Sequence, residues 1–200
     1  MLRTLPIPRI PPVARTEWTD EVRDVFAIME GPAARDNGSK YNVMQVMANH
    51  PPLASSFLTY YKFLLAHSTL TVRVVEIVTL RVAWRQQSEY EWTQHVAIAK
   101  GIGLGEADIE AIRQGTGPAT WSELERLAAS AVDQLIDRQQ IDDKTWDALA
   151  SHLSRKEIME LLFIIGTYTM LCWAFSAMGV QLEQSGSTAT ATDREANLKR

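Results

Sequence analysis

Ser88, Glu91 and His95 are spaced three and four residues apart in the run Ser88-Glu89-Tyr90-Glu91-Trp92-Thr93-Gln94-His95. At about 100° per residue, that spacing puts a hydroxyl, a carboxylate and an imidazole on one face of a helix. Twelve residues before Ser88, Glu76 interrupts the apolar stretch Val74-Val75-Glu76-Ile77-Val78-Thr79-Leu80, where a solvated carboxylate is not expected. An imidazole near carboxylates, one of them screened from water, is equipped to move protons close to neutral pH. The same residues also admit structural readings. Glu91 and His95 fit a plain i,i+4 surface pair, and Glu76 fits an acid neutralised by Arg73 or Arg81.

The elements that must hold these groups are helical, because apolar residues recur at helical spacing nearly everywhere and strand-like alternation is hard to find. After a proline-rich arm over 1–17, the pattern predicts a helix from Thr19 to Glu30 with Val22, Val25, Phe26 and Met29 inward, stopped by Gly31-Pro32. A polar loop over 35–40 follows. Helical pattern resumes over Tyr41–Ala48, breaks at Pro51-Pro52, and continues to Ala66 with Leu53, Phe57, Tyr60, Tyr61 and Leu64 on one stripe. Thr71 is a natural N-cap for the helix carrying Glu76, and a second helix from Ser88 to Lys100 carries Glu91 and His95. A shorter helix covers Glu106 to Arg113. Beyond the linker Gly115-Thr116-Gly117-Pro118, Ser122-x-x-Glu125 and Ser154-x-x-Glu157 match the capping box and mark two long helices, with a short one over 143–151 between them.

Two hundred residues with 46% hydrophobic content suit one domain, taken as 18–183, followed by a polar tail over 184–200 that is expected to be flexible. A net charge of -4 from interspersed acids and bases argues against nucleic acid as a partner. The single cysteine, Cys172, permits no intrachain disulfide and fits a reducing cytoplasm. The arm's four prolines break any signal-peptide core. The uncharged run from Leu161 to Val180 could span a bilayer by length, but its internal Gly166, Thr167, Thr169 and Ser176 favour a helix buried in the core or between subunits. No membrane partner is therefore expected. Neither cysteines nor His67 and His152 offer metal-ligand spacing, and no metal is called for.

Taken together, Arg73, Glu76, Leu80-Arg81-Val82-Ala83, Ser88-Glu89-Tyr90-Glu91-Trp92, His95 and Gly101 to Leu104 resemble the carboxymuconolactone decarboxylase family, within the alkylhydroperoxidase D-like group. The likeness extends from the arm through Asn42 and His50-Pro51 to Ile165–Met170. It implies an all-α, alkylhydroperoxidase D-like helical bundle that assembles as a homo-oligomer, a trimer or hexamer. In the peroxidase branch the motif is a glutamate, a Cys-x-x-Cys pair and then a histidine. Here those positions read Glu76, Ser88, Glu91 and His95, so a dithiol that cycles through a disulfide cannot form and hydroperoxide reduction is disfavoured.

The decarboxylase branch matches in its Glu-x-x-x-His pair, Glu91 and His95. It implies a lyase acting on a small carboxylated lactone or keto acid of the kind met in aromatic catabolism. Loss of CO₂ from a γ-carboxylated butenolide can use the conjugated lactone carbonyl as electron sink, so no cofactor is needed. His95 is then the expected general acid, with Glu91 one turn earlier fixing its tautomer and Glu76 approaching from the preceding helix. Ser88 and Arg85 are expected to bind substrate, Arg81 and Arg73 being the other candidate cations, and Trp84 and Trp92 are expected to wall the site. The competing reading is a catalytically silent or small-acid-binding oligomer of the same fold.

Overall fold

Thr19 caps the first helix by accepting a hydrogen bond from the Val22 amide, and the same local chemistry starts most of the helices that follow. In a computed structural model, which describes residues 1–183, ten α-helices account for most of the chain and no strand occurs among the described residues. They are α1 (Asp20–Glu30), α2 (Ala34–Asn37), α3 (Asn42–Met47), α4 (Pro51–Ala66) and α5 (Val72–Arg85), then α6 (Glu89–Gly101), α7 (Glu106–Gln114), α8 (Glu123–Arg138), α9 (Asp143–His152) and α10 (Arg155–Met178). The polar tail from 184 lies outside the described residues.

Both predicted capping boxes form, with Ser122 and Ser154 accepting from Glu125 and Glu157 amides. Three local expectations change. The stretch expected as a polar loop over 35–40 contains the single turn α2, closed by Gly38 at φ 82°. Pro51 and Pro52 do not interrupt a helix but begin α4, where their missing amides cost nothing, and the His50 imidazole caps it through the Leu53 amide. The α4 stripe is also rotated: Ala54, Leu58 and Leu64 are buried, whereas Leu53 is 62% exposed.

Helix α5 is the axis of the bundle. All ten residues from Val74 to Ala83 are buried, and α6, α8 and α10 pack around it. A helix covered on every side carries no single apolar stripe from which its orientation could be read. The apolar interior forms two clusters, one around α5, α8 and α10 and a smaller one joining α1 to α4 around Val25, Phe26 and Leu58. Val43, Met47 and Phe57 touch both clusters, so these side chains mark the seam between them.

The arm lies along the bundle. Arg3 donates its amide to the Gln87 carbonyl, Arg9 and Ile10 donate theirs to Met178, and Val13 donates to Gln45. Gly179, at φ 72°, passes so close that an added Cβ would stand 3.2 Å from both the Arg9 nitrogen and the Ile7 oxygen. Helix α10 is long and apolar enough to cross a membrane, yet half of its most apolar window is buried within the bundle. Its outer face leaves Met159, Phe163, Met170 and Trp173 exposed.

Candidate active site

The imidazole of His95 is held from both sides. Its Nδ1 lies 2.8 Å from Oε2 of Glu76 on α5, and its Nε2 lies 3.5 Å from Oε2 of Glu91 one turn earlier on α6. Glu76 is wholly buried, Glu91 and His95 nearly so. The close partner is thus Glu76 rather than the i,i+4 acid. A carboxylate on Nδ1 keeps a proton there, which leaves Nε2 to exchange a proton with whatever lies beyond it. The Tyr168 ring stands edge-on to the imidazole at 5.0 Å, and its hydroxyl shares a hydrogen bond of 2.9 Å with Tyr61, fixing α4 against α10 behind the ring.

Glu91 and His95 open onto a cavity of about 150 Å³ at the seam of the two apolar clusters. Helix α6 supplies its polar wall through Glu91, Gln94 and His95, while α1, α3, α4 and α10 supply mainly methionine, leucine and aromatic side chains. Burial pushes the Glu91 carboxyl up to about 6, with the His95 charge opposing the rise and Glu76 and Glu183 adding to it. Glu183 reaches in from beyond α10. Its carboxylate accepts from the Asn42 amide at 2.9 Å, from the Tyr90 hydroxyl at 2.6 Å and from the Gln94 side chain.

The raised Glu91 carboxyl predicts a pH-dependent stability cost. The folded protein holds this proton more tightly than the unfolded chain does. That contribution is therefore complete below the ordinary value of 4.5 and is lost as pH climbs through about 6. Above that, the ionised group costs the fold roughly 2 kcal/mol, taking 1.36 kcal/mol per pKa unit. Glu91→Gln is expected to be the more stable protein at pH 8 by up to that amount, with the gap closing toward pH 4.5. Urea unfolding across that range checks it.

The four other residues expected at the site lie elsewhere. Arg85 is bound to Asp133 and Asp137 at 2.5 Å each, on the α8 side of α5. Trp84 and Trp92 pack on each other at 5.1 Å between ring centres, beneath the Arg113 guanidinium, and line no part of the cavity. Ser88 precedes the first residue of α6, with its hydroxyl fully buried against the Cys172 thiol rather than in the cavity. The alternative cations are also committed: Arg81 to Asp133, and Arg73 to Glu125 and Asp108. Sequence reasoning did not find Gln94, Tyr90, Tyr168 or Glu183 as site residues. Glu183 did carry a signal, as the lone acid closing a long apolar run. Among the described residues, no group of three or more His, Cys, Asp or Glu side chains could hold a metal ion.

Comparison with known proteins bears on this site. The model of the carboxymuconolactone decarboxylase family matches residues 51–134, which contain Glu76, Glu91 and His95. A search of curated proteins gives no match. Among solved structures, the chain is similar to an uncharacterized peroxidase-related protein from Ralstonia eutropha JMP134, with an alkylhydroperoxidase core. The TM-score is 0.75 at 16% identity, covering 94% of this chain and 97% of that one. It is also similar to the debrominase Bmp8, at TM-score 0.69 and 20% identity over 95% of this chain and 96% of that one. A peroxidase-related protein from Silicibacter sp. TM1040 matches at TM-score 0.70 and 17% identity over 94% and 95%. At such identities the likeness establishes the fold. A redox pair of cysteines cannot form in this chain: the only sulfhydryl is Cys172, buried in α10, where burial pushes the thiol well up and away from reactivity.

Proposed function

Because residues 51–134 match the carboxymuconolactone decarboxylase family and the chain has the alkylhydroperoxidase D-like fold, we propose that it is a cofactor-independent lyase that releases CO₂ from a small carboxylated lactone or keto acid. The observation that carries the reading is the imidazole held between two buried carboxylates at the polar wall of an apolar cavity. The bond between the ring carbon and the carboxylate breaks. Its electron pair moves into the conjugated carbonyl, and the resulting enolate is reprotonated on carbon. His95 delivers that proton from Nε2, and Glu76 holds the opposite nitrogen so that the ring need not turn. Glu91 is near enough to Nε2 to restore the proton. The apolar surroundings exclude bulk water from the cavity, which favours departure of neutral CO₂ over the charged carboxylate presented to the α6 wall.

The exposed stripe of Met159, Phe163, Met170 and Trp173 on α10 supports a homo-oligomer, with this face against a neighbouring subunit. A single buried thiol accords with a cytoplasmic protein. The reading is tested by offering the purified protein γ-carboxylated butenolides and β-keto acids while following CO₂ release and loss of ultraviolet absorbance. In deuterated water, one solvent deuteron should enter each product molecule. A folded protein that releases no CO₂ from either class would refute it.

A further inference from the structure

The carboxylate of a substrate was expected to meet an arginine, and the structure commits the three candidates to acidic partners outside the cavity. Among the described residues that line the cavity, Glu91 and His95 are the charged ones, and both stand on α6. Tyr41 and Tyr61 aside, the walls facing them are built mainly from apolar side chains such as Met29, Met44, Met47, Phe57 and Leu65. These side chains offer dispersion contacts and no compensation for a second ionised group, whose transfer from water costs several kcal/mol when it is not paired. Methionines tolerate differently shaped apolar bodies, because their thioether chains are flexible and polarisable. Size adds a further limit. Apolar cavities of about 150 Å³ take up a single benzene-sized ring, which is the volume found here.

Resting on the decarboxylase reading for the reacting group, we infer that the cavity selects single-ring substrates that carry one carboxylate, presented to the α6 wall, and an otherwise apolar body. Dicarboxylated lactones fall outside this class. Two acids, Glu76 and Glu91, already flank the one imidazole, so a second carboxylate on the ligand would face methionine and phenylalanine side chains and, among the described residues that line the cavity, no further cationic group.

The pair 3-methylbenzoate and isophthalate isolates this feature, because they differ in replacing a methyl group by a carboxylate. Titration calorimetry on the full chain is expected to give at least tenfold tighter binding of 3-methylbenzoate, and Met44→Trp, which fills the cavity, should abolish it. Met47→Lys, which sets a cation in the apolar wall, is expected to narrow or reverse the preference, while Met47→Leu retains it. Equal or tighter binding of isophthalate by the unaltered protein would overturn the inference, as would failure of 3-methylbenzoate to bind at millimolar concentration. Both results are independent of catalysis. If 3-methylbenzoate is preferred but no lactone or keto acid loses CO₂, the decarboxylase reading falls and the substrate class stands. If mono- and dicarboxylated lactones lose CO₂ with equal kcat/KM, the substrate class falls and the reading stands.

Discussion

His95→Gln is expected to lower kcat for CO₂ release by about 10²–10⁴-fold, the usual contribution of a positioned acid–base group, with KM changed little. Glutamine is the informative replacement. Removing the ring altogether would leave Glu76 buried without the group 2.8 Å away that now pairs with it, and the loss of a partner inside the core would mix instability with lost chemistry. A glutamine amide can still donate toward Glu76 but cannot deliver a proton. Turnover and thermal unfolding measured on the same preparation separate the two effects. A variant that melts like the parent and still turns over at a comparable rate would remove His95 from the mechanism.

Arg81→Met should produce the largest loss of stability, on the order of 3 kcal/mol, as expected when one partner of a buried ion pair is removed. Arg81 donates to both Asp133 oxygens at 2.8 and 2.9 Å and to the carbonyls of Ile112 and Arg113 at 2.7 and 2.9 Å. It thereby ties α5 to α8 and to the end of α7. Arg85 would still hold Asp133, which keeps the loss at the lower end of what such pairs show. Its midpoint in urea should fall, while KM measured under folding conditions should stay unchanged, because the guanidinium lies away from the cavity. A raised KM at unchanged stability would restore the role of substrate cation. Gly115 offers a second test: at φ 75°, an added Cβ would stand 2.5 Å from Nη2 of Arg81, so Gly115→Ala should reproduce part of the destabilisation.

The parts of the fold legible in the sequence were those written in local chemistry. Thr71, Ser122 and Ser154 start their helices because a side-chain oxygen within three residues satisfies a free amide, and no distant contact is needed to see that. Glu76 was legible for a related reason, as an acid where only apolar residues belonged. The misplaced residues share a different cause. On a helix buried all round, position along the chain suggests proximity while direction decides it. At about 100° per residue, Arg85 stands half a revolution from Glu76, so two residues of one helix serve opposite faces. Trp84 and Trp92 pair at the crossing of α5 and α6 on the side away from the cavity. The far wall was not legible at all, because Met29, Met44 and Met47 resemble ordinary core residues until α1 and α3 are seen to end at the seam.

The clasp made by Glu183 bears on how the site comes into being. The residues it joins are far apart in the chain: Asn42 is 141 positions away, Tyr90 93 and Gln94 89. Closing loops of that length is entropically expensive and follows contacts nearer in sequence. During synthesis, α1 to α9 can assemble while Glu183 is still to be added, so the wall carrying Tyr90 and Gln94 is secured only near the end. The bundle can therefore be built before its cavity acquires a final shape, and catalytic competence should trail the acquisition of helical structure on refolding.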